Sequence, residues 1–478
     1  MTLAQYETFV EFGAYCYEQH AYDLWVNAST LVRTGLMAPG RSSEVESRVT
    51  SRRFSVGLEG AFVRSMLRRL RYRPSAPLDA YPVLFYLPFD RRDYDSLMQP
   101  YVMGLADRGV RCVVVVPRPA VDRWKRDVSH ERVTITTVGS APPCAAYWAG
   151  RRTVSALRPV LADALERFRV PSCVRHDLYA YFVAYAFEKA MASQLLSRFK
   201  PSVVVGLHFV SNRGWQAAIA QSGLAVPRPR VVLVQHGAVT ATSGFHDFEG
   251  ADLVLLWGER WQREVERLPS HPFCRVPSSI VTGNPKFDGA GRSIVSGGTR
   301  PLDSWHREGS ARVLYVSSHV GGKTLVSPLS LAAHASIGEP GFRLIVKPHP
   351  AERDDTVTTF VEQGELAADA ILAPQMSINA AVLEVDVVVG PESTALFDAA
   401  RFGKPVILIA DAPSPAYEGF VTVSDAAMLH DTVQRLMRDP HALKETLDTQ
   451  SHVLRDAFGP TEEPVSRGVE RILDLIEG

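Results

Sequence analysis

The sequence predicts an α/β protein in which two domains, each built on a parallel sheet, face each other across a cleft and follow a helical extension. Three observations support this prediction. The chain has 478 residues, more than one hydrophobic core usually supports. Short apolar runs alternate with helical segments in residues 81–288 and again in 311–478. Residues 289–310 between them are rich in Gly, Ser and charge, which is typical of a linker.

Both halves contain the apolar runs that buried parallel strands require. In the first half, the strand-bearing segments are 82–89, 110–117, 202–209, 230–237 and 252–258, and 278–288 closes that half. In the second half, they are 312–318, 342–350, 370–374, 385–394 and 404–410. Helices are predicted between strands, over the extension 1–80, and from residue 425 onward within the second domain.

Composition excludes several classes of protein. Basic and acidic residues both number 52, and this balance argues against bulk nucleic-acid binding. The five cysteines form no CxxC pair and no metal-ligand spacing, which argues against a disulfide framework or a zinc site. No signal sequence and no apolar run of about 20 residues is found, so we expect a cytoplasmic protein.

The segment 52–73 is strongly basic, with seven arginines and one glutamate. Phe62, Met66 and Leu70 recur at helical spacing, so one face of a helix here would be apolar. Such a helix can bind an anionic membrane surface at the inner face of the membrane. The alternative is a helix docked on the first domain with a solvated basic rim.

Polar residues follow the predicted strands of the second half. Glu392, Ser393 and Thr394 form a turn into a helix, where backbone N–H groups suit a phosphate. The alternative is an ordinary helix cap. Lys347 and His349 follow another strand, and the two prolines beside His349 restrict its backbone. This histidine can bind phosphate or ribose, or it can be structural.

Two further turns are candidates for donor binding. Ser317 and Ser318 follow the first strand of the second half, ahead of a Gly-Gly-Lys turn that permits close approach of an anion. Gly283 and Asn284 tolerate unusual backbone angles before the linker. A hinge is the alternative for this second turn.

A general base that deprotonates an acceptor hydroxyl would be a histidine or a carboxylate in the first half. Four residues at predicted carboxyl strand ends qualify: His236, His208, Asp90 and Asp93.

Taken in order, QHG, TGNPKFD, the Ser-Ser loop, KPHP and PESTALFDAARFGKPVI resemble a series of motifs in bacterial GT-B enzymes of surface-polysaccharide synthesis. That group includes capsule enzymes, CDP-glycerol glycerophosphotransferases, sialyltransferases and Kdo transferases. The resemblance covers about residues 202–410. It implies two Rossmann-like domains, with a nucleotide-sugar donor on the second and a glycan or glycolipid acceptor on the first.

The resemblance also implies roles for particular residues. His349 would contact the nucleotide or its phosphate, Ser393 and Thr394 would hold a donor phosphate, and Glu392 would bind ribose or sugar. This chain departs from the glycerophosphate polymerases at the Ser-Ser-His loop and at Pro-Glu-Ser-Thr, which favours sugar transfer over glycerol phosphate transfer and leaves the nucleotide base open. The His-Pro element and the Ser-Thr pair favour a cytidine nucleotide over the others. A metal-independent glycosyltransferase without a cofactor is therefore predicted. The alternatives are a UDP-N-acetylglucosamine 2-epimerase and a non-catalytic nucleotide-sugar-binding protein of polysaccharide assembly.

Overall fold

The structure is a computed structural model. It describes residues 11–12, 14–15, 81–137, 143–168, 172–207, 213–222, 227–239, 248, 250–268, 276–287, 311–317, 319–320, 323–324, 326–336, 342–349, 362–363, 378–459 and 463–477. Most of the predicted extension, the basic segment 52–73, the predicted linker 289–310 and the predicted strand at 370–374 lie outside these residues. His208 and Ser318 also lie outside them.

The first half is built on a parallel sheet with seven strands among the described residues, in the order β3-β2-β1-β4-β5-β6-β7. The strands are β1 Val83–Tyr86, β2 Cys112–Val115, β3 Val133–Thr136, β4 Val203–Gly206, β5 Arg230–Val234, β6 Leu253–Leu256 and β7 Ser278–Val281. Its helices are α1 Arg92–Asp107, α2 Val121–Asp127, α3 Pro143–Arg167, α4 Ser172–Phe199, α5 Arg213–Ser222 and α6 Glu259–Glu266. The central strands are buried, as continuous apolar runs require.

The second half is built on a parallel sheet with five strands among the described residues, in the order β11-β8-β12-β13-β14. The strands are β8 Ala311–Val316, β11 Phe342–Lys347, β12 Val387–Gly390, β13 Val406–Ile409 and β14 Val421–Val423, and a small hairpin joins β9 His319–Val320 to β10 Lys323–Thr324. Its helices are α7 Val326–Ser336, α8 Ile378–Leu383, α9 Thr394–Arg401, α10 Ala426–Arg438, α11 Pro440–Phe458 and α12 Pro464–Glu477.

The predicted fold class is confirmed, because the chain forms two successive parallel α/β units. Two edge strands, β3 and β14, were not predicted. β3 reads VTIT, and all four of its residues are partly exposed, so it lacks the apolar run that marks the central strands. Among the described residues, no helix combines the length and the apolarity that a membrane crossing requires.

The two halves pack against each other through α6 and α11. Trp257 stacks on Phe458 with ring centroids 5.9 Å apart, and the Trp261 indole N–H donates to the Ala457 carbonyl oxygen. The Arg260 guanidinium bridges to the Asp456 carboxylate, with Nε and Oδ2 3.2 Å apart. Buried aromatic rings and an ion pair therefore hold α11 of the second half on the first half.

The C-terminal helix α12 returns to the first half and packs on α1. Gly104 of α1 lies so close to α12 that a Cβ atom there would be 2.9 Å from Val469. The Arg108 guanidinium donates to Ser466 Oγ at 3.0 Å. The chain thus returns to the first half, and α12 adds a second contact between the halves.

Candidate functional site

The carboxyl ends of three strands of the second sheet meet at one edge. In the sheet, β8 lies between β11 and β12. The chain forms β11 on one side of β8 and then β12 on its other side, so the strand order reverses here. Open α/β sheets bind ligands at such a reversal. Gly390 ends β12 here, where a Cβ atom would lie 2.7 Å from the carbonyl oxygen of Val316. Glycine therefore allows the ends of β8 and β12 to approach closely.

Three of the predicted donor-binding residues lie at this edge. Ser317 follows β8 and is buried, and its Oγ has no hydrogen-bond partner within the part of the chain that the structure describes. Lys347 ends β11, is buried and donates from Nζ to the Pro348 carbonyl oxygen at 3.0 Å. His349 comes directly afterwards and is partly buried. A hydroxyl, an ammonium and an imidazole are thereby placed on adjacent strands.

The turn after β12 gives different partners to successive residues. Glu392 Oε1 accepts the backbone N–H of Ser414 at 2.6 Å. Ser393 is the N-cap residue of α9, and its Oγ accepts the Ala395 N–H at 3.3 Å. Ser393 thus has the capping role that the sequence offered as the alternative. The start of α9 still carries the partial positive charge of a helix N-terminus, although the Ala395 and Leu396 N–H groups are bonded to Ser393.

Thr394 connects this edge to the first half of the molecule. Its Oγ1 accepts the backbone N–H of Ala238 at 2.9 Å. Ala238 follows β5, and Thr394 follows β12, so both lie beyond the carboxyl ends of strands. This hydrogen bond joins the loop after β5 to the turn after β12, so the two carboxyl edges approach each other at this point.

His236 lies in that loop. Its imidazole packs edge-on against Tyr94 of α1, with ring centroids 5.6 Å apart. Gln235 before it is fully buried and holds the loop in place, accepting the Trp257 N–H and donating to the Gly237 carbonyl oxygen, each at 2.8 Å. His236, one of the predicted bases, therefore lies in a loop that contacts the second half.

The two predicted aspartate bases are held in ion pairs at the start of α1. Asp90 Oδ1 lies 2.7 Å from Arg123 Nη1, and Asp93 Oδ1 accepts from Arg91 Nε at 3.0 Å. Burial opposes ionisation of Asp93, but the hydrogen bond and charge of Arg91 and the charge of Lys286 outweigh it and lower its pKa. A carboxylate with a lowered pKa is a weaker proton acceptor than an ordinary one.

The Gly283–Asn284 turn ends β7 at the edge of the first sheet. Gly283 has a φ of +96°, and Asn284 Oδ1 accepts the Lys286 N–H at 3.0 Å. The charge of Lys286 acts on Asp93 in the first half and on Asp398 of α9 in the second. The turn therefore lies where the halves adjoin.

A pocket of about 430 Å³ lies at the carboxyl edge of the first sheet and was not predicted. It is lined by Tyr86, Leu87, Pro88, Pro117, Thr137, Tyr181, Ala184, Tyr185, Glu188, Met191 and Arg213. Glu188 is the one sequence signal for it, because no other acidic residue occurs in 178–200 and its neighbours are mainly apolar. Burial raises the pKa of Glu188 from 4.5 to about 8, although hydrogen bonds from Gly214 and Tyr86 and the charge of Arg213 act in the opposite direction.

The chain was also compared with known proteins. No protein-family model and no curated protein sequence matches it. Among solved structures, the complex of S. aureus MnaA with UDP is similar, with 13% identity and a TM-score of 0.51 over 83% of this chain and 98% of that chain. The UDP-GlcNAc 2-epimerase from Neisseria meningitidis bound to UDP-GlcNAc has 12% identity and a TM-score of 0.48, over 83% of this chain and 99% of that chain. The wall teichoic acid polymerase TagF has 9% identity and a TM-score of 0.43, over 91% of this chain and 99% of that chain. The likeness to MnaA shows that the fold is GT-B-like.

Proposed function

We propose that this protein is a glycosyltransferase that moves a sugar from a nucleotide-activated donor to a surface glycan or glycolipid. The observation that carries this proposal is the hydrogen bond between Thr394 Oγ1 and the Ala238 N–H, 2.9 Å long. It places the polar carboxyl edge of the second sheet opposite the carboxyl edge of the first. A donor on one side and an acceptor hydroxyl on the other would then meet within the cleft.

The second-half edge has the chemistry that a nucleotide diphosphate or monophosphate requires. The partial positive charge at the start of α9 attracts phosphate, the Thr394 hydroxyl can donate to a phosphate oxygen, and the buried Ser317 hydroxyl offers a further hydrogen bond. A protonated His349 would stabilise the negative charge that develops on the leaving phosphate. These groups neutralise phosphate without a metal ion.

Acceptor activation belongs to the first half. His236 stays the proposed base, because its loop contacts the α9 turn. As a base it would take the proton from the attacking hydroxyl as the new glycosidic bond forms and the bond to the phosphate breaks. Of the other candidates, Asp90 and Asp93 already hold arginines in ion pairs.

The experiment combines a binding panel with one pair of histidine variants. The protein is screened with UDP-, CDP-, CMP- and GDP-sugars by thermal shift, and the ligand that stabilises it is then titrated. His349→Ala is expected to reduce turnover at least tenfold while the melting temperature stays within a few degrees. His452→Ala is the control, because His452 is exposed on α11 beside Arg455. No stabilisation by any of these nucleotide sugars would contradict the proposal.

A UDP-N-acetylglucosamine 2-epimerase is the second candidate, since the similar MnaA structure contains UDP. An epimerase interconverts UDP-sugars without an acceptor, whereas a transferase releases nucleotide in proportion to the glycan formed. NMR of UDP-N-acetylglucosamine incubated with the protein alone separates these two. Binding without either reaction would indicate the non-catalytic alternative.

Membrane association through residues 52–73 stays a prediction, because that segment lies outside the described residues. Co-sedimentation with anionic vesicles tests it. Binding that is lost in high salt and in an Arg64, Arg68, Arg69 triple glutamine variant is the expected result.

A further inference from the structure

The pocket in the first half occupies a defined place in its sheet. Its walls include residues within two positions of the ends of β1, β2 and β3, namely Leu87, Pro117 and Thr137. β1 is flanked by β2 on one side and β4 on the other, so the pocket lies where the strand order reverses. This is the ligand-binding position of an open α/β sheet.

Helix α4 forms the other wall of the pocket. The last residue of α4, Phe199, contacts Tyr81 at the amino end of β1, with ring centroids 5.6 Å apart. α4 therefore runs antiparallel to the strands, and its residues 181–191 reach the carboxyl edge. Two tyrosines from this stretch, Tyr181 and Tyr185, line the pocket together with Tyr86 of β1. Tyr86 and Tyr185 are almost fully buried and Tyr181 is partly exposed, so three tyrosines contribute to the wall of a space of ligand size.

Two ionisable groups lie among these rings. Glu188 Oε2 accepts the backbone N–H of Gly214 at 3.2 Å, and Oε1 accepts from the Tyr86 hydroxyl at 3.4 Å. Arg213 is 1% exposed, and its Nη1 donates to Gln216 at 2.8 Å. The carboxyl group and the guanidinium are fixed by backbone and side-chain contacts, so the pocket combines held polar groups with aromatic residues.

A sugar ring matches this arrangement. The C–H groups of a pyranose form an apolar face that packs on aromatic rings, while its hydroxyls point outward and need hydrogen-bond partners. Resting on the transferase function proposed above, we infer that this pocket binds one hexose ring of the acceptor, with Glu188 accepting hydrogen bonds from its hydroxyls. Tyr181, the most exposed of the three tyrosines, then packs on the ring, and Glu188 and Arg213 select its hydroxyl pattern.

The ionisation of Glu188 gives this site a signature. Its pKa of about 8 leaves the carboxyl mostly protonated at neutral pH, because burial outweighs the opposing hydrogen bonds and the Arg213 charge. The groups that face it are Tyr86 from β1 and Arg213 from α5, and Lys189 follows it on α4. Sugar hydroxyls donate more strongly to a carboxylate than to a neutral carboxyl group. Affinity for the sugar is therefore expected to rise between pH 7 and pH 9.

The test measures sugar binding without nucleotide. Saturation-transfer NMR is recorded with the methyl glycosides of glucose, galactose, mannose and N-acetylglucosamine. Ala184 is an exposed residue of the pocket wall, so Ala184→Trp fills the space without disturbing the core. Ser197→Trp is the control, since Ser197 is exposed on the same helix outside the pocket. At least a tenfold loss of affinity in Ala184→Trp, with none in Ser197→Trp, is the expected result.

Glu188→Gln provides the second measurement, because glutamine has the same shape and does not ionise. Its affinity for the sugar is expected not to vary between pH 7 and pH 9, in contrast to wild type. The inference is overturned if none of the four glycosides binds wild type, if Ala184→Trp binds as wild type does, or if wild type and Glu188→Gln show the same pH profile. His349→Ala should leave sugar binding intact. If wild type binds one of these glycosides but none of the nucleotide sugars, the result counts against the transferase and not against this pocket.

Discussion

The adjacent residues Ser393 and Thr394 should respond differently to removal of their hydroxyl groups. Ser393 Oγ caps α9 through the Ala395 N–H, and the loss of such a cap lowers the free energy of unfolding by about 1 kcal/mol. Thr394 Oγ1 accepts the Ala238 N–H across the cleft at 2.9 Å, and its hydroxyl can also donate one hydrogen bond. If the acceptor of that bond is a donor phosphate, Thr394→Val removes a charge-assisted hydrogen bond of about 1.5–3 kcal/mol.

These values separate the two variants in one experiment. Because about 1.4 kcal/mol corresponds to a tenfold change in a dissociation constant, Thr394→Val should raise the dissociation constant for the nucleotide by about 10- to 100-fold. Ser393→Ala should lower the melting temperature and change that constant by less than about threefold. Isothermal titration with UDP and with CMP, together with a melting curve for each variant, provides both measurements. If Thr394→Val folds and binds both nucleotides as wild type does, Thr394 is not a phosphate ligand.

Three further predictions concern stability. Burial raises the Glu188 pKa from 4.5 to about 8, so between these pH values the folded state keeps a proton that the unfolded state has lost. As the pH rises through this range, the free energy of unfolding of wild type should therefore fall by up to about 1.4 kcal/mol per pH unit relative to Glu188→Gln. Trp261 is fully buried between the halves, so Trp261→Ala should lower the free energy of unfolding by about 3–5 kcal/mol. Gly390→Ala would place a Cβ atom 2.7 Å from the Val316 carbonyl oxygen and should lower it by about 1–3 kcal/mol.

Each of these stability predictions has a control. Melting temperatures of wild type and Glu188→Gln measured from pH 5 to pH 8 should converge at low pH, and parallel curves would refute the raised pKa. Trp261→Phe keeps a ring and loses the indole N–H, so it should be milder than alanine. Gly206→Ala is the control for Gly390→Ala. A Cβ atom at Gly206 would lie 3.5 Å from its nearest neighbour, so this substitution should be tolerated. Equal effects at the two glycines would contradict the close approach of β8 and β12.

The fold class was predictable because buried parallel strands leave a local signal. The runs VVVG of β4 and VILI of β13 are fully buried on both faces, so every residue in them is apolar. Edge strands lack that signal. β14 reads VTV, with two of its three residues partly exposed, and was missed for the same reason as β3. The packing of α12 on α1 was also not predictable, because an amphipathic pattern shows that a face is buried but not what covers it.

The candidate site was predictable in its position and not in its contacts. Ser317, Lys347 and Glu392 follow apolar strands, and parallel strands bring such residues to one edge. The sequence did not distinguish the capping hydroxyl of Ser393 from the bridging hydroxyl of Thr394, because that difference depends on Ala238, 156 residues away. Nor did it show that Asp90 pairs with Arg123, or that Glu188 lines a pocket, since both depend on the packing of separate elements.

The contacts between the halves differ in strength, and this bears on how a ligand would bind between them. On one side of the interface, buried rings such as Trp261 and Phe397, with centroids 5.2 Å apart, remove large apolar surfaces from water. Across the cleft, the Ala238–Thr394 hydrogen bond contributes only about 0.5–1.5 kcal/mol net. A phosphate that bonds to Thr394 or to the Ala238 N–H can therefore replace this contact at little cost, while the aromatic contacts keep the halves in register. The weaker contact lies at the proposed reaction site, and the stronger one begins three residues further along α9, at Phe397.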